Sequence, residues 1–272
     1  AVSHLLDKLR AITGDPLFVK SGRGIAPTVH ADLLVERARR LLDQLHAFRT
    51  AGAFDPARLD TTLTIAANDL QRDVLLPPLL RRLRAEAPGL ALRVIPSGAP
   101  QAALLRDETC ALVLTPRPPE ATDILQRRLF DDQYRVFHDP ECRAAPQTEA
   151  DYLASDHVTV VHDAPRRTLD VDDWLLAQGL RRRVVASVPA FAGVAGFVRG
   201  GPWLVTAPGR LRDGVLRGLA DAPVPVSAPL PPLAMFMVWH LRHQQDPLHR
   251  WLRQTLVEVA STVSAQPGRP QG

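Results

Sequence analysis

Residues 14–28 read Gly14-Asp15-Pro16-Leu17-Phe18-Val19-Lys20-Ser21-Gly22-Arg23-Gly24-Ile25-Ala26-Pro27-Thr28, and this run decides how the chain begins to fold. Residues 17–20 have strand composition, 21–24 form a tight basic turn and 25–27 return. Upstream, residues 1–13 place Val2, Leu5, Leu6, Leu9 and Ile12 on one helical face and leave Ser3, His4, Asp7, Lys8 and Ala11 on the other. Asp15-Pro16 is the stop, because proline disfavours helical geometry in the residue before it. Downstream, Thr28 is the expected N-cap of a long helix. There Leu34, Ala38, Leu41, Leu45 and Phe48 recur at spacings of four and three, as in the a/d seam of a coiled coil. Arg37, Arg39, Arg40 and Asp43 line its outside. The same stripe also suits a core helix within one domain. A polar helix, a basic hairpin and a dimerising helix in this order make the layout of a winged helix-turn-helix addressing DNA. A symmetric dimer sets two reading heads about one DNA turn, or a multiple of it, apart.

Composition narrows the rest. A chain of 272 residues buries a large core and is long enough for two or three compact units. Apolar residues make up 46%, yet no run approaches the roughly 18 uninterrupted apolar residues of a membrane span. No basic-then-apolar leader is present. Cys110 and Cys142 are too few for a disulfide framework or a zinc site and suit a reducing cytoplasm. Lys and Arg number 33 against 29 Asp and Glu, a formal charge of +4. Eight basic against five acidic residues, or +3, fall in the first fifty positions, which favours a polyanionic partner there.

From Thr61 short apolar strands alternate with helices. Strands are expected at 62–66, 90–96, 111–115, 125–130 and 134–138, with helices at 70–85, kinked at Pro77-Pro78, and at 101–107. After Asp139-Pro140 a second set runs through 158–161, 171–178, 183–188, 191–199, 203–206 and 211–218. A proline-rich passage from Pro223 to Pro232 precedes a strand at 234–240 and a final amphipathic helix at 247–263. This order argues for α/β sheets covered on both faces.

Several motifs taken together resemble LysR-type transcriptional regulators. They are Ala1-Val2-Ser3-His4 with Leu9-Arg10, Gly14-Asp15-Pro16-Leu17-Phe18-Val19, and Gly22-Arg23-Gly24-Ile25 with Pro27-Thr28. Phe54-Asp55-Pro56-Ala57, Leu63-Thr64-Ile65-Ala66 and Asn68-Asp69 resemble the branch of nodulation and aromatic-catabolism regulators. So do Val238-Trp239-His240, Arg242, Asp246-Pro247, His249 and Trp251-Leu252-Arg253. The resemblance runs to about Ser264, and it implies an α/β chain of three parts. Residues 1–28 are a partial winged helix-turn-helix, truncated within the recognition helix, so DNA binding depends on a segment upstream. Residues 29–60 are a linker and dimerisation helix with a hinge. Residues 61–264 form an effector-binding domain of two lobes similar to periplasmic solute-binding proteins, with a disordered tail at 265–272. Lobe 1 takes 61–138 and 234–264, and lobe 2 takes 139–233.

Two such lobes leave a gap lined by strand carboxyl ends and helix N-termini, whose free N–H groups favour a small organic acid or polar aromatic. The residues following those strand ends are the effector candidates: Asn68, Asp69, Ser97, Thr115, His162, Phe191 and Thr206. Asn68 and Asp69 serve equally as helix caps, Ser97 and Thr115 also read as turn residues, His162 also reads as a backbone partner, and Phe191 reads more readily as core. In the head, Ser3 and His4 approach base edges, Lys8 reaches phosphate, and Lys20 and Arg23 contact backbone or minor groove. The expected partners are promoter DNA, a small-molecule effector, further copies of the chain as homodimer or homotetramer, and RNA polymerase. No cofactor and no metal are expected. A Gly-x-Ser-x-Gly elbow, a phosphate loop and a His-Glu-x-x-His helix are absent, so an enzyme is disfavoured. His240, His243 and His249 lack carboxylates at ligand spacing, and Asp131-Asp132 and Asp172-Asp173 read as capping or solvated acids. Two other readings stay open: a ligand-binding protein that never touches DNA, and an inactive truncated regulator.

Overall fold

The computed structural model describes residues 2–21, 24–49, 54–98, 101–163, 166–167 and 170–265. Arg23 and the tail from 266 lie outside the described residues, as do the side chains of Leu45, Phe48 and His162. The chain forms two units, Ala1–Asp55 and Pro56–Gly272.

In the first unit, helix α1 (Val2–Thr13) stops one step earlier than proline requires. Gly14 adopts φ +67° and its N–H returns to Arg10 O at 2.9 Å, the left-handed cap that glycine adopts without Cβ strain. Strands β1 (Phe18–Ser21) and β2 (Gly24–Pro27) pair antiparallel, Phe18 facing Pro27. Asp15 ties hairpin to helix: its Oδ1 accepts the Leu17 N–H at 2.7 Å and the Thr28 hydroxyl at 2.8 Å. Thr28 Oγ1 in turn accepts the Ala31 N–H at 3.0 Å and caps α2 (Val29–Arg49). The Thr28 bond, then the Leu17 N–H, holds the Asp15 carboxyl below its usual range. The apolar stripe of α1 stays uncovered, with Leu5, Leu9 and Ile12 all exposed. Along the α2 seam Leu34 is half-buried, while Ala38 and Leu41 are exposed.

The second unit holds two five-stranded mixed sheets. The first comprises β3 (Thr62–Ala67), β4 (Ala91–Ile95), β5 (Leu112–Thr115), β6 (Ile124–Asp132) and a strand from the far end of the chain, Leu233–His240. Their spatial order is β4, β3, β5, the C-terminal strand, β6. Helix α3 (Asp69–Val74) and helix α4 (Leu76–Glu86) follow β3. The break falls at Leu75, so Pro77 and Pro78 occupy the first turn of α4, where backbone N–H groups have no helical partner. Leu79 and Leu83 of α4 are fully buried in the core. The short helix α5 (Ala103–Arg106) closes a smaller cluster of Ala66, Leu105, Cys110, Val113 and Val238.

The second sheet holds β7 (Tyr134–His138) and β8 (Asp156–Val160). A two-residue hairpin, β9 (His162–Asp163) with β10 (Arg166–Arg167), follows β8, and β11 (Arg183–Val188), β12 (Leu204–Pro208) and β13 (Ala220–Pro223) complete the sheet in the order β11-β8-β12-β7-β13. Helix α8 (Phe191–Val198) packs on β8, β11 and β12, while α6 (Glu149–Ala154) and α7 (Asp170–Ala177) add Tyr152, Val171 and Leu175 to the core. The C-terminal strand of the first sheet is β14, followed by α9 (Pro247–Ala265).

Residues 134–138, expected in the first lobe, are therefore a strand of the second. The register shows why: Tyr134 pairs with Pro208 and His138 with Leu204, and only Gln133 separates β6 from β7. Asp132, 8% exposed, fastens that crossing by accepting the N–H groups of Gln133 at 2.8 Å and Arg210 at 3.2 Å. It is a buried structural acid rather than a solvated one, and burial pushes its carboxyl up. Where the sequence suggests an element at 211–218, the structure has a short 3-10 turn at Gly209–Asp213. The histidines near the end are structural as well. Arg253 stacks on Trp239 with its guanidinium carbon 4.7 Å from the ring centroid and donates to His249 Nδ1 at 2.7 Å. His249 Nε2 reaches Ala111 O at 2.9 Å, joining α9 to the start of β5.

Candidate functional site

The carboxyl ends of β3, β4 and β5 carry Asn68, Ser97 and Thr115, and the loop after β11 leads into α8. Asn68 is half-buried and opens α3, its N–H donating to Gln71 Oε1 at 3.1 Å. Its Nδ2 donates to Gly98 O at 3.3 Å, which brings the ends of β3 and β4 together. Ser97, beside Gly98, is 4% exposed, and its hydroxyl has no hydrogen-bond partner. A buried polar atom left unmet is costly, and in a binding gap it marks where a ligand group fits. Thr115 is buried, but its hydroxyl is taken: it accepts the Arg117 N–H at 3.0 Å and shapes the turn after β5.

Asp69 makes the least expected contact. At 5% exposure it sends Oδ2 to the backbone N–H of Phe191 at 2.5 Å, across 122 residues and from one lobe to the other. α8 has Ala190 at its N-cap and no side-chain cap of its own, so the first N–H of this helix is satisfied by an acid from the opposite lobe. The Phe191 side chain is buried in the core cluster, so only its backbone faces this contact. Thr206 does not reach the gap. β12 runs to Pro208, two residues beyond the expected strand end, and places the Thr206 hydroxyl inside the lobe, 2.7 Å from the Tyr152 hydroxyl.

Sequence reasoning missed a second set of groups. Arg182, 9% exposed, donates through Nε to Asp172 Oδ1 at 2.7 Å and through Nη2 to Thr159 Oγ1 at 2.9 Å. Asp172 is thus an internal counter-ion. Its neighbour Asp173 meets Arg117 of the other lobe at 3.2 Å, so adjacent acids of α7 serve the lobe interior and the lobe contact. Nothing in the run Arg181-Arg182-Arg183 marks the middle arginine as the buried one. The Tyr134 hydroxyl is pushed far up, chiefly by burial. His157, fully buried against Tyr152, is pushed down to about 4 by burial and then by the Arg182 charge. His249 is likewise pushed down to about 4, chiefly by burial.

A groove of about 1220 Å³ lies elsewhere, beside the crossing, with Asp73, Arg81, Asp132, Arg135, Arg210 and Val259 in its walls. None of the expected effector residues lines it. Several of its charges are satisfied by others: Arg135 pairs with Asp221 at 2.7 Å, and Asp132 with two backbone amides. The strand ends, by contrast, carry the buried and unmet Ser97 hydroxyl.

In the head, Ser3, His4 and Lys8 are exposed on α1, and Lys20 is exposed on β1. Among the described residues no group of three or more His, Cys, Asp or Glu is placed to hold a metal. No helix of the described residues is long and apolar enough to cross a membrane.

Residues 56–261 match the family described as the LysR substrate binding domain. The chain is 31% identical over 270 residues to the HTH-type transcriptional activator NagR of Ralstonia sp, covering 96% of this chain and 88% of the relative. It is 31% identical over 268 residues to the HTH-type transcriptional activator NahR of Pseudomonas putida, covering 95% and 87%. Among solved structures, the probable transcriptional regulator PA0477 from Pseudomonas aeruginosa superposes with a TM-score of 0.67 at 27% identity, over 93% of this chain and 86% of that one. With these likenesses added to two mixed sheets joined by short crossings, the chain belongs to the LysR-type transcriptional regulators.

Proposed function

We propose that the second unit binds a small carboxylated or hydroxylated aromatic compound between its lobes and that the first unit delivers the response to promoter DNA. The observation carrying the effector half is the Ser97 hydroxyl, buried and without a partner at the end of β4. Asn68, Asp69 and the α8 N-terminus stand with it, and His162 is the candidate that the sequence offers from the second lobe. An effector touching both lobes favours one setting of them over another, which is how binding becomes a switch. For the DNA half, exposed Ser3 and His4 read base edges, Lys8 meets phosphate, and Lys20 and Arg23 form the basic wing. The α2 seam of half-buried Leu34 and exposed Ala38 and Leu41, continued in sequence by Leu45 and Phe48, supports assembly as a homodimer or homotetramer. We place the protein in the cytoplasm, with RNA polymerase as the partner that reads its output.

Calorimetric titration of the full chain with 2-hydroxybenzoate and related phenols tests the effector half. Ser97→Ala should weaken binding about tenfold, the loss of one hydrogen bond to a ligand. A ligand whose affinity survives both Ser97→Ala and His162→Ala, or that binds outside the gap, refutes the site.

A further inference from the structure

The end of α8 facing Asp69 is an anion position that already holds an anion. The helix is eight residues long, its N-cap is Ala190 with no side-chain bond to offer, and its first N–H carries the partial positive charge of the helix end. The Asp69 carboxylate sits on that N–H at 2.5 Å, delivered from α3 of the other lobe. Close by, the strand-end loop that Asn68 grips at Gly98 carries Ser97, whose buried hydroxyl lacks any partner. A carboxylated effector entering here meets the same N–H and a like charge already bound to it.

We propose that Asp69 is an internal competitor for the effector: its carboxylate holds the anion position at the N-terminus of α8, and the carboxylate of an aromatic acid displaces it. This rests on the reading that such an acid enters between the lobes. One N–H does not serve two carboxylates at full strength, and like charges in a poorly hydrated site repel. The displaced Asp69 has a ready alternative in Arg72, whose Nη2 already lies 3.3 Å from Oδ1. The exchange has a mechanical result because the bond that breaks joins lobe to lobe. The one that replaces it joins the effector to α8 and, through its remaining polar group, to Ser97 on the first lobe. Binding and lobe setting are then a single event, with Asp69 holding one setting and the effector the other.

The test compares wild type with Asp69→Asn, which keeps the shape and an acceptor oxygen but removes the charge, and with Asp69→Ala. Calorimetry uses two probes of one size, 2-hydroxybenzoate and the uncharged 2-hydroxybenzamide. Asp69→Asn should bind the benzoate about tenfold more tightly than wild type and change affinity for the amide by less than about twofold. In amide exchange followed by NMR, Phe191 should exchange about tenfold faster in Asp69→Ala, and saturating benzoate should restore its protection. Benzoate binding that is unchanged or weakened in Asp69→Asn overturns the competition alone, as does Phe191 exchange unaltered in Asp69→Ala. Failure of both probes to bind both proteins overturns the effector class and the competition with it.

Discussion

Replacing Arg182 by methionine should destabilise the second unit far more than a surface arginine does. The Arg182 side chain is 2% exposed, and its guanidinium makes two bonds to Asp172 and one to Thr159. Methionine fills much of the volume but leaves the Asp172 carboxylate, itself 16% exposed, without its counter-ion. Breaking a buried pair from one side costs about 3–5 kcal/mol, because the remaining charge keeps its desolvation penalty. With a urea slope of about 2 kcal/mol/M, the unfolding midpoint should fall by roughly 2 M. All four tryptophans, Trp174, Trp203, Trp239 and Trp251, lie in this unit, so fluorescence follows its unfolding. The double variant Arg182→Met, Asp172→Leu removes both charges together and should recover to within about 1 kcal/mol of wild type. A loss below about 1 kcal/mol in the single variant, or a double variant no better than the single, refutes the view that Asp172 depends on this arginine.

A Cβ placed on Gly89 would lie 2.4 Å from the Leu59 carbonyl oxygen, so Gly89→Ala should lower stability by about 1–3 kcal/mol, measured by thermal denaturation. His157 and His249 are held neutral by burial, each near 4 against 6.5 when unfolded. Their depressed values mean that stability is intact above 6.5 and drains as pH falls toward 4. Each contributes a loss on the order of 2 kcal/mol between pH 7 and 5, and His157→Gln should flatten that part of the stability–pH curve. Leu41→Glu with Leu45→Glu should lower the sedimentation mass of the full chain by placing like charges in the seam; an unchanged mass shows that the chains associate elsewhere.

The parts legible in sequence were those fixed by local chemistry. Thr28 caps α2, the hairpin strands pair from Phe18 with Pro27 to Ser21 with Gly24, and the strand at Arg183–Val188 has the bounds its β-branched run suggests. Long-range pairing was less legible. Tyr134–His138 carries no mark of which sheet it joins, because that depends on β12, some seventy residues on. The candidate site divides the same way. Asn68, Asp69 and Ser97 were reachable from strand ends, yet a carboxylate capping a helix across 122 residues leaves no trace in spacing. Thr206 was misplaced because a strand boundary two residues off moves a side chain from rim to interior.

β14 lies between β5 and β6 in the middle of the first sheet, although it is the last strand in sequence among the described residues. All five strands of the second sheet come from residues 134–223, so that lobe can close while the chain is still emerging from the ribosome. The first lobe has to wait, holding an open slot between β5 and β6 until Leu233–His240 arrives. A nascent chain stalled after β6 is made and before residue 233 therefore presents two unsatisfied strand edges to other chains, a template for aggregation. Chaperone demand during synthesis should rise at the first lobe, and a stop codon at or just before Leu233 should be far more damaging than its distance from the effector gap suggests.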